Sequence, residues 1–150
     1  MKIEDELKSK FRNDYHKALI NLVFTQKYVF SEFLRILKQN GLSEPSYNIL
    51  RIIRGAEKYD AVVSIGYLKE RMLDKNSDVS RLVDRLVKNE LIHRIECPKD
   101  RRLKEISLSH KGLELLIKLD QKEETFDNLM SNLSKNEIKE LNRLLDKIRN

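Results

Sequence analysis

Asp74-Lys75-Asn76-Ser77-Asp78, running into Val79-Ser80-Arg81-Leu82-Val83-Asp84-Arg85-Leu86, decides the fold class of this chain. The polar run supplies helix-start residues, with Asp74 or Asn76 expected as the cap. The spacing then turns Val79, Leu82, Val83 and Leu86 inward and leaves Ser77, Asp78, Ser80, Arg81, Arg85 and Lys88 outward. A β-compatible run follows at Leu91-Ile92-His93-Arg94-Ile95-Glu96, then a charged turn, Cys97-Pro98-Lys99-Asp100-Arg101-Arg102, and a second run from Leu103 to Leu108. Ser109-His110-Lys111-Gly112 signals a new helix. A helix with one basic face, followed by a hairpin tipped with arginines, matches a DNA major groove and the minor groove beside it.

Upstream, Leu19, Leu22, Val23, Phe30, Phe33, Leu34 and Leu37 recur at helical spacing. With no Pro or Gly before Gly41, the first forty residues read as one long helix. Ser43-Glu44-Pro45 opens the next helix, which carries Tyr47, Ile49, Leu50, Ile52 and Ile53 to about Glu57. Residues Lys58 to Val63 form a connection with a β-branched piece at Val62-Val63, and Ser64 caps a brief helix bearing Ile65, Leu68 and Met72. Downstream, Leu113, Leu115, Leu116, Ile117 and Leu119 mark one helix. Ser134-Lys135-Asn136-Glu137 starts another as a capping box, with Ile138, Leu141, Leu144, Leu145 and Ile148 along it. The expected class is therefore mainly α with a small β-hairpin wing (α+β). Residues 42–108 form a winged helix-turn-helix for DNA binding, residues 1–41 and 109–150 a helical dimerisation region, and the whole is one integrated domain. Long amphipathic stripes at both ends exceed what a small wing domain can cover, so a two-fold homodimer is expected.

Composition narrows the partners. The 150 residues carry a formal charge of +6, and Arg71 to Lys104 hold ten Lys/Arg against six Asp/Glu, so +4 lies in that segment. Such a bias favours an acidic partner. A single cysteine, Cys97, makes no intrachain disulfide and suits a reducing compartment. Met1 to Glu6 lacks an apolar signal core and no window reaches the roughly 18 apolar residues of a membrane span, so a cytoplasmic protein with no membrane partner is expected.

From Leu42 to Gly112 most strongly, and over nearly the whole chain, the sequence resembles the MarR family of bacterial transcription regulators. Two blocks carry the resemblance: Val79 to Leu86 with Asn89-Glu90-Leu91-Ile92, and Asp100-Arg101-Arg102 with Leu108-Ser109-His110-Lys111-Gly112. The resemblance implies a homodimer that binds a pseudo-palindromic operator on double-stranded DNA and represses nearby genes, with a small-molecule effector weakening binding. Carried onto this sequence, it places Asn76, Ser77, Asp78, Ser80 and Arg81 on the recognition helix. It matches Arg102 to an arginine entering the minor groove and Asp100 to the carboxylate that orients it. Lys75-Asn76-Ser77-Asp78 departs from the small hydroxyl residues and arginine of many members, so base preference is not transferable.

The residues themselves add Lys75 at the polar helix start, where a cation neutralises phosphate, and Lys99 and Arg101 on the hairpin, because a two-stranded tip buries almost nothing and gives its cations little structural purpose. Asp78 can accept from cytosine N4, but capping the helix requires no ligand and is preferred. Arg81 is read as a DNA contact and Arg85 as a salt-bridge partner of Asp78 or Asp84. Cys97 is read as a small strand residue rather than a redox site. Tyr28 and Tyr47 are the candidates for an effector pocket, since a hydroxyl there can orient a ligand. His16, His93 and His110 have no metal-ligand spacing and the four glycines form no phosphate loop, so no catalysis, metal or cofactor is expected. The competing reading is a winged-helix protein-interaction adaptor with little sequence-specific DNA binding.

Overall fold

A computed structural model of the protein describes residues 2–8, 10–97, 100–122 and 127–150, with the backbone alone at 96–97 and 100–104. Contacts divide it into two compact units, Met1–Leu42 and Ser43–Asn150.

The first unit corrects the expectation of one long helix. It holds a short α1, Ile3–Leu7, and a 26-residue α2, Asp14–Gln39. Lys8 ends α1 in the left-handed region, with φ 48°. Asn13 starts α2 by accepting from the His16 amide at 2.9 Å, and Phe11 meets the His16 ring edge-on at 5.9 Å. An Asn side chain that satisfies an orphan amide sets a boundary without Gly or Pro. A Lys17–Glu4 ion pair joins the two helices. The far end of α2 is a Schellman turn. The Gly41 amide bonds Lys38 O at 3.1 Å and the Leu42 amide bonds Leu37 O at 2.9 Å. Gly41, at φ 71°, occupies the position where a side chain is disfavoured.

In the second unit, α3 (Glu44–Glu57) begins as the sequence predicts, with Ser43 as cap and Pro45 in the first turn. Ser64 caps α4, Ile65–Arg71, by accepting from Tyr67 N at 3.1 Å. Then come α5, Val79–Lys88, and the antiparallel pair β1, Ile92–Cys97, and β2, Asp100–Leu108. Ile92 pairs with Leu108, Arg94 with Ile106 and Glu96 with Lys104, and the register slips at Glu96/Cys97. The expected charged turn is shorter than read: Asp100, Arg101 and Arg102 belong to β2. Val63, in the β-branched piece, accepts from Ile106 N at 2.9 Å and lengthens the hairpin by one edge bond. Next follow α6, His110–Asp120, a 3₁₀ turn at Asn128–Met130, and α7, Lys135–Arg149. α7 opens with the predicted capping box: Ser134 Oγ accepts from Glu137 N while Ser134 N donates to Glu137 Oε2.

The core is centred on α3, which packs against α4, α5, α6 and β2. Ile49, Leu50 and Ile53 are wholly buried on its inner face. They are joined by Leu68, Val79, Val83, Leu86, Ile92, Ile106 and Leu116 from the surrounding elements. Each fully buried aliphatic side chain contributes about 1.5–3 kcal/mol relative to exposure. Polar contacts fix the frame: Arg54 grips Asp120 of α6 with two bonds, 2.5 and 2.9 Å, and Glu57 Oε1 accepts from Leu108 N at 3.0 Å. The Asp120 carboxylate holds the Arg54 guanidinium above the usual arginine range. Gly112 lies so close to the residue just before β1 that an added Cβ would stand 2.1 Å from Leu91 O, which already accepts from Ser109 N. No described helix is long and apolar enough to cross a membrane.

Candidate nucleic-acid interface

Asp78 caps α5, its Oδ1 accepting from Arg81 N at 3.1 Å, and the helix starts at Val79. Asp74 and Asn76, the expected caps, sit one turn earlier. Asp74 folds the chain over itself, taking the Asn76 amide at 2.9 Å and the Ser77 hydroxyl at 3.1 Å. An aspartate that bonds the backbone two residues on builds a turn and competes with helix formation. Lys75, Asn76 and Ser77 therefore belong to the turn before α5, not to the recognition helix. Two contacts hold that turn: Leu73 N donates to Asn48 Oδ1 of α3 at 2.9 Å, and Lys75 Nζ donates to Glu70 O at 2.5 Å.

The helix separates its faces much as its period predicts. Val79, Val83 and Leu86 are buried, while Ser80, Arg81, Asp84, Arg85 and Lys88 are exposed. Leu82, expected inside, is only partly covered. With Pro45 it forms the apolar wall of an open groove of about 410 Å³, whose other lining residues are Ser77, Asp78, Arg81 and Arg85.

Arg85 departs from its expected role. Asp84 pairs with Arg94 of β1 at 3.0 Å, which ties α5 to the hairpin. Adjacent residues on a helix do not face each other, so the Asp84 carboxylate turns from Arg85 towards the strand. Neither Arg81 nor Arg85 has an ion-pair partner among the described residues. Two other cations of the head are engaged: Arg71 lies 3.6 Å over the Tyr67 ring, and Lys111 reaches Glu90 at 3.3 Å. Arg85, read from the sequence as a salt-bridge partner, instead joins the exposed face of α5 beside Arg81. Its signal was the spacing of four from Arg81, which sets both guanidinia on one helix face.

Residues 40–103, which carry α3, α4, α5 and most of the hairpin, match the family model of MarR. Over that segment, somewhat under half of the chain, the sequence is similar to the MarR family. Solved structures of the same fold span nearly the whole chain. A MarR-like transcription regulator from Bacillus cereus superposes with a TM-score of 0.75 at 18% identity, covering 91% of this chain and 96% of that one. A cysteine-to-serine mutant of MarR from E. coli, complexed with operator DNA, gives 0.75 at 21% identity over 93% and 99%. BpsR of Bordetella bronchiseptica, whose DNA binding is regulated by 6-hydroxynicotinic acid, gives 0.72 at 17% identity over 89% and 99%. At these identities the likeness carries the fold. None of the curated protein sequences matches the chain.

In this winged head the remaining candidates take different places. Lys99 lies outside the described residues, as do the side chains of Asp100, Arg101, Arg102 and Cys97. Tyr28 is exposed on α2 in the first unit. Tyr47 is half-buried on α3 in the second, its hydroxyl accepting from Arg51 at 3.2 Å. His110 stands exposed in the first turn of α6, 3.6 Å from Glu114. Among the described residues no three His, Cys, Asp or Glu side chains gather as a metal cluster would require. Chemically, the head presents the planar donor forks of Arg81 and Arg85, the Asp78 carboxylate and the Ser80 hydroxyl along one exposed helix, the functional groups that read base edges.

Proposed function

We propose that the protein is a sequence-specific DNA-binding transcription regulator, acting as a homodimeric repressor on a pseudo-palindromic operator in the cytoplasm. One observation carries this reading: Arg81 and Arg85 stand side by side, exposed and without an ion-pair partner among the described residues, on the outward face of α5. Two unpaired guanidinia on one surface repel each other, and a polyanion relieves that repulsion. Two α5 helices enter successive major grooves, roughly 34–36 Å apart. Ser80 and Arg81 address base edges, Lys75, Asn76 and Ser77 the flanking backbone, and Lys99, Arg101 and Arg102 the minor groove, with Asp100 orienting Arg102. The E. coli relative on operator DNA supports the DNA partner, and BpsR supports control by a small molecule, for which Tyr28 and Tyr47 are the candidate contacts.

The test is selection of bound duplexes from a random pool at moderate salt. An enriched inverted repeat is the expected result, with affinity falling steeply as salt rises because phosphate contacts release counterions. On the selected duplex, Arg81→Ala and Arg102→Ala each weaken binding about tenfold or more while leaving the thermal midpoint in place. Binding that ignores salt, or a pool that returns no sequence, removes the proposal. Equal losses of affinity and stability make those arginines structural.

A further inference from the structure

The cap of α5 holds a charge that capping does not need. Asn and Ser cap a helix as well as Asp, yet the position carries Asp78, on the face proposed to meet a polyanion. One carboxylate oxygen of Asp78 accepts from Arg81 N at 3.1 Å. The side chain is exposed, lines the same groove as Arg81 and Arg85, and forms no ion pair with either. The hydroxyl of the adjacent Ser77 is turned to Asp74 instead. Asp78, Arg81 and Arg85 thus present an acceptor followed by two donor forks along one face of the helix. A carboxylate without an ion-pair partner facing phosphates is repelled; the helix N-terminus offsets part of that repulsion, and a donor on the nucleic acid offsets more. In the major groove, exocyclic amines are such donors, and carboxylates are matched to cytosine N4. Arginine forks are matched to guanine O6 and N7.

We propose that Asp78 is a specificity-determining residue, whose free carboxylate oxygen accepts from the N4 amine of one cytosine in each half-site, next to a guanine read by Arg81. This rests on the DNA-binding reading above and deepens it. The negative charge works as a filter. Where the cytosine is replaced by thymine, a carbonyl oxygen faces the carboxylate and the two acceptors repel, so the wrong sequence is rejected as well as the right one held.

The experiment compares wild type with Asp78→Asn and Asp78→Ser in selection from the random pool, with thermal midpoints measured alongside. Both variants keep a capping side chain, so their midpoints stay near that of wild type. Wild type returns a fixed cytosine at one position of each half-site, and changing it to thymine weakens binding about tenfold or more. In both variants that preference relaxes to within about threefold, while the rest of the motif persists. If both variants return the wild-type motif and bind every duplex equally or more tightly, Asp78 is a cap alone and the inference is overturned. If wild type returns no motif, the DNA-reading proposal itself falls, and this inference with it. A variant that loses thermal stability is replaced in the comparison by the other, whose motif then decides.

Discussion

The winged head and the helices that flank it are built to different standards of completion. Around α3 the apolar side chains close on one another: Ile49, Leu50, Ile53, Leu68, Val83 and Leu116 are fully buried within a single copy of the chain. The flanking helices have equally regular apolar stripes and cover almost none of them. α2 buries only Ile36 and Leu37 in 26 residues and leaves Leu19 59% exposed. α7 buries nothing, with Leu144 at 44% and Ile148 at 71%. Periodicity alone thus records that a helix has an apolar face, and burial records whether that face is finished within the chain. Stripes left open on helices this amphipathic are what the proposed homodimer needs, since a second copy supplies the missing cover.

The contrast breaks first, and hardest, in the head. Leu50→Ala removes a fully buried side chain and is expected to lower stability by about 2–5 kcal/mol. Chemical denaturation reads this, and the loss should be independent of protein concentration if the head is complete in one copy. Gly112→Ala comes next, at about 1–3 kcal/mol, because the new methyl must push the Leu91 carbonyl off its bond with Ser109. A neutral Gly112→Ala would show that the helix and strand approach less closely than they do here. Smaller in the head but decisive for the flanks is the pair Leu144→Asp and Ile148→Asp. The head's thermal transition should be unmoved, while sedimentation shows dimerisation weakened by roughly tenfold or more. A dimer that survives both changes places the seam elsewhere.

The smallest effect is a pH dependence at the start of α7. Bonds from the Ser134 hydroxyl and amide hold the Glu137 carboxyl below the usual carboxylate range. Its folded value is depressed, so its contribution is present above the unfolded value and lost as pH falls through the folded one. Acidification should fray α7, measured by amide exchange at Ser134 and Glu137, and Glu137→Gln should flatten that response.

Much of the head was legible because its signals are local. Ser43, Ser64, Ser109 and Ser134 each cap the helix that the sequence placed after them, because a hydroxyl serves an amide three residues on in any context. The helix after Asp78 was placed correctly and started too early, because Asp74, Asn76 and Asp78 are all competent caps, and Asp74 commits its carboxylate to the Asn76 amide and the Ser77 hydroxyl while Asn48 holds Leu73. The break after α1 was missed because nothing but Asn13 announces it. Arg85 and Gly112 were beyond local reading. One depends on Arg94 capturing Asp84 from ten residues away, the other on a strand passing beneath a helix. Pair spacing along a chain fixes which side chains share a face, and long-range competition decides which remain available.

Two hydrogen bonds from α3 have a consequence for how the head moves. Asn48 holds the turn before the recognition helix, and Glu57, nine residues on, holds the end of the wing strand. At 1.5 Å per residue these pins are about 13 Å apart on one rod. Helix and wing are thereby mounted like two teeth on a single shank. Tilting α3 swings both together and leaves the distance between them unaltered, so any signal arriving at α3 re-aims the tool without changing its gauge.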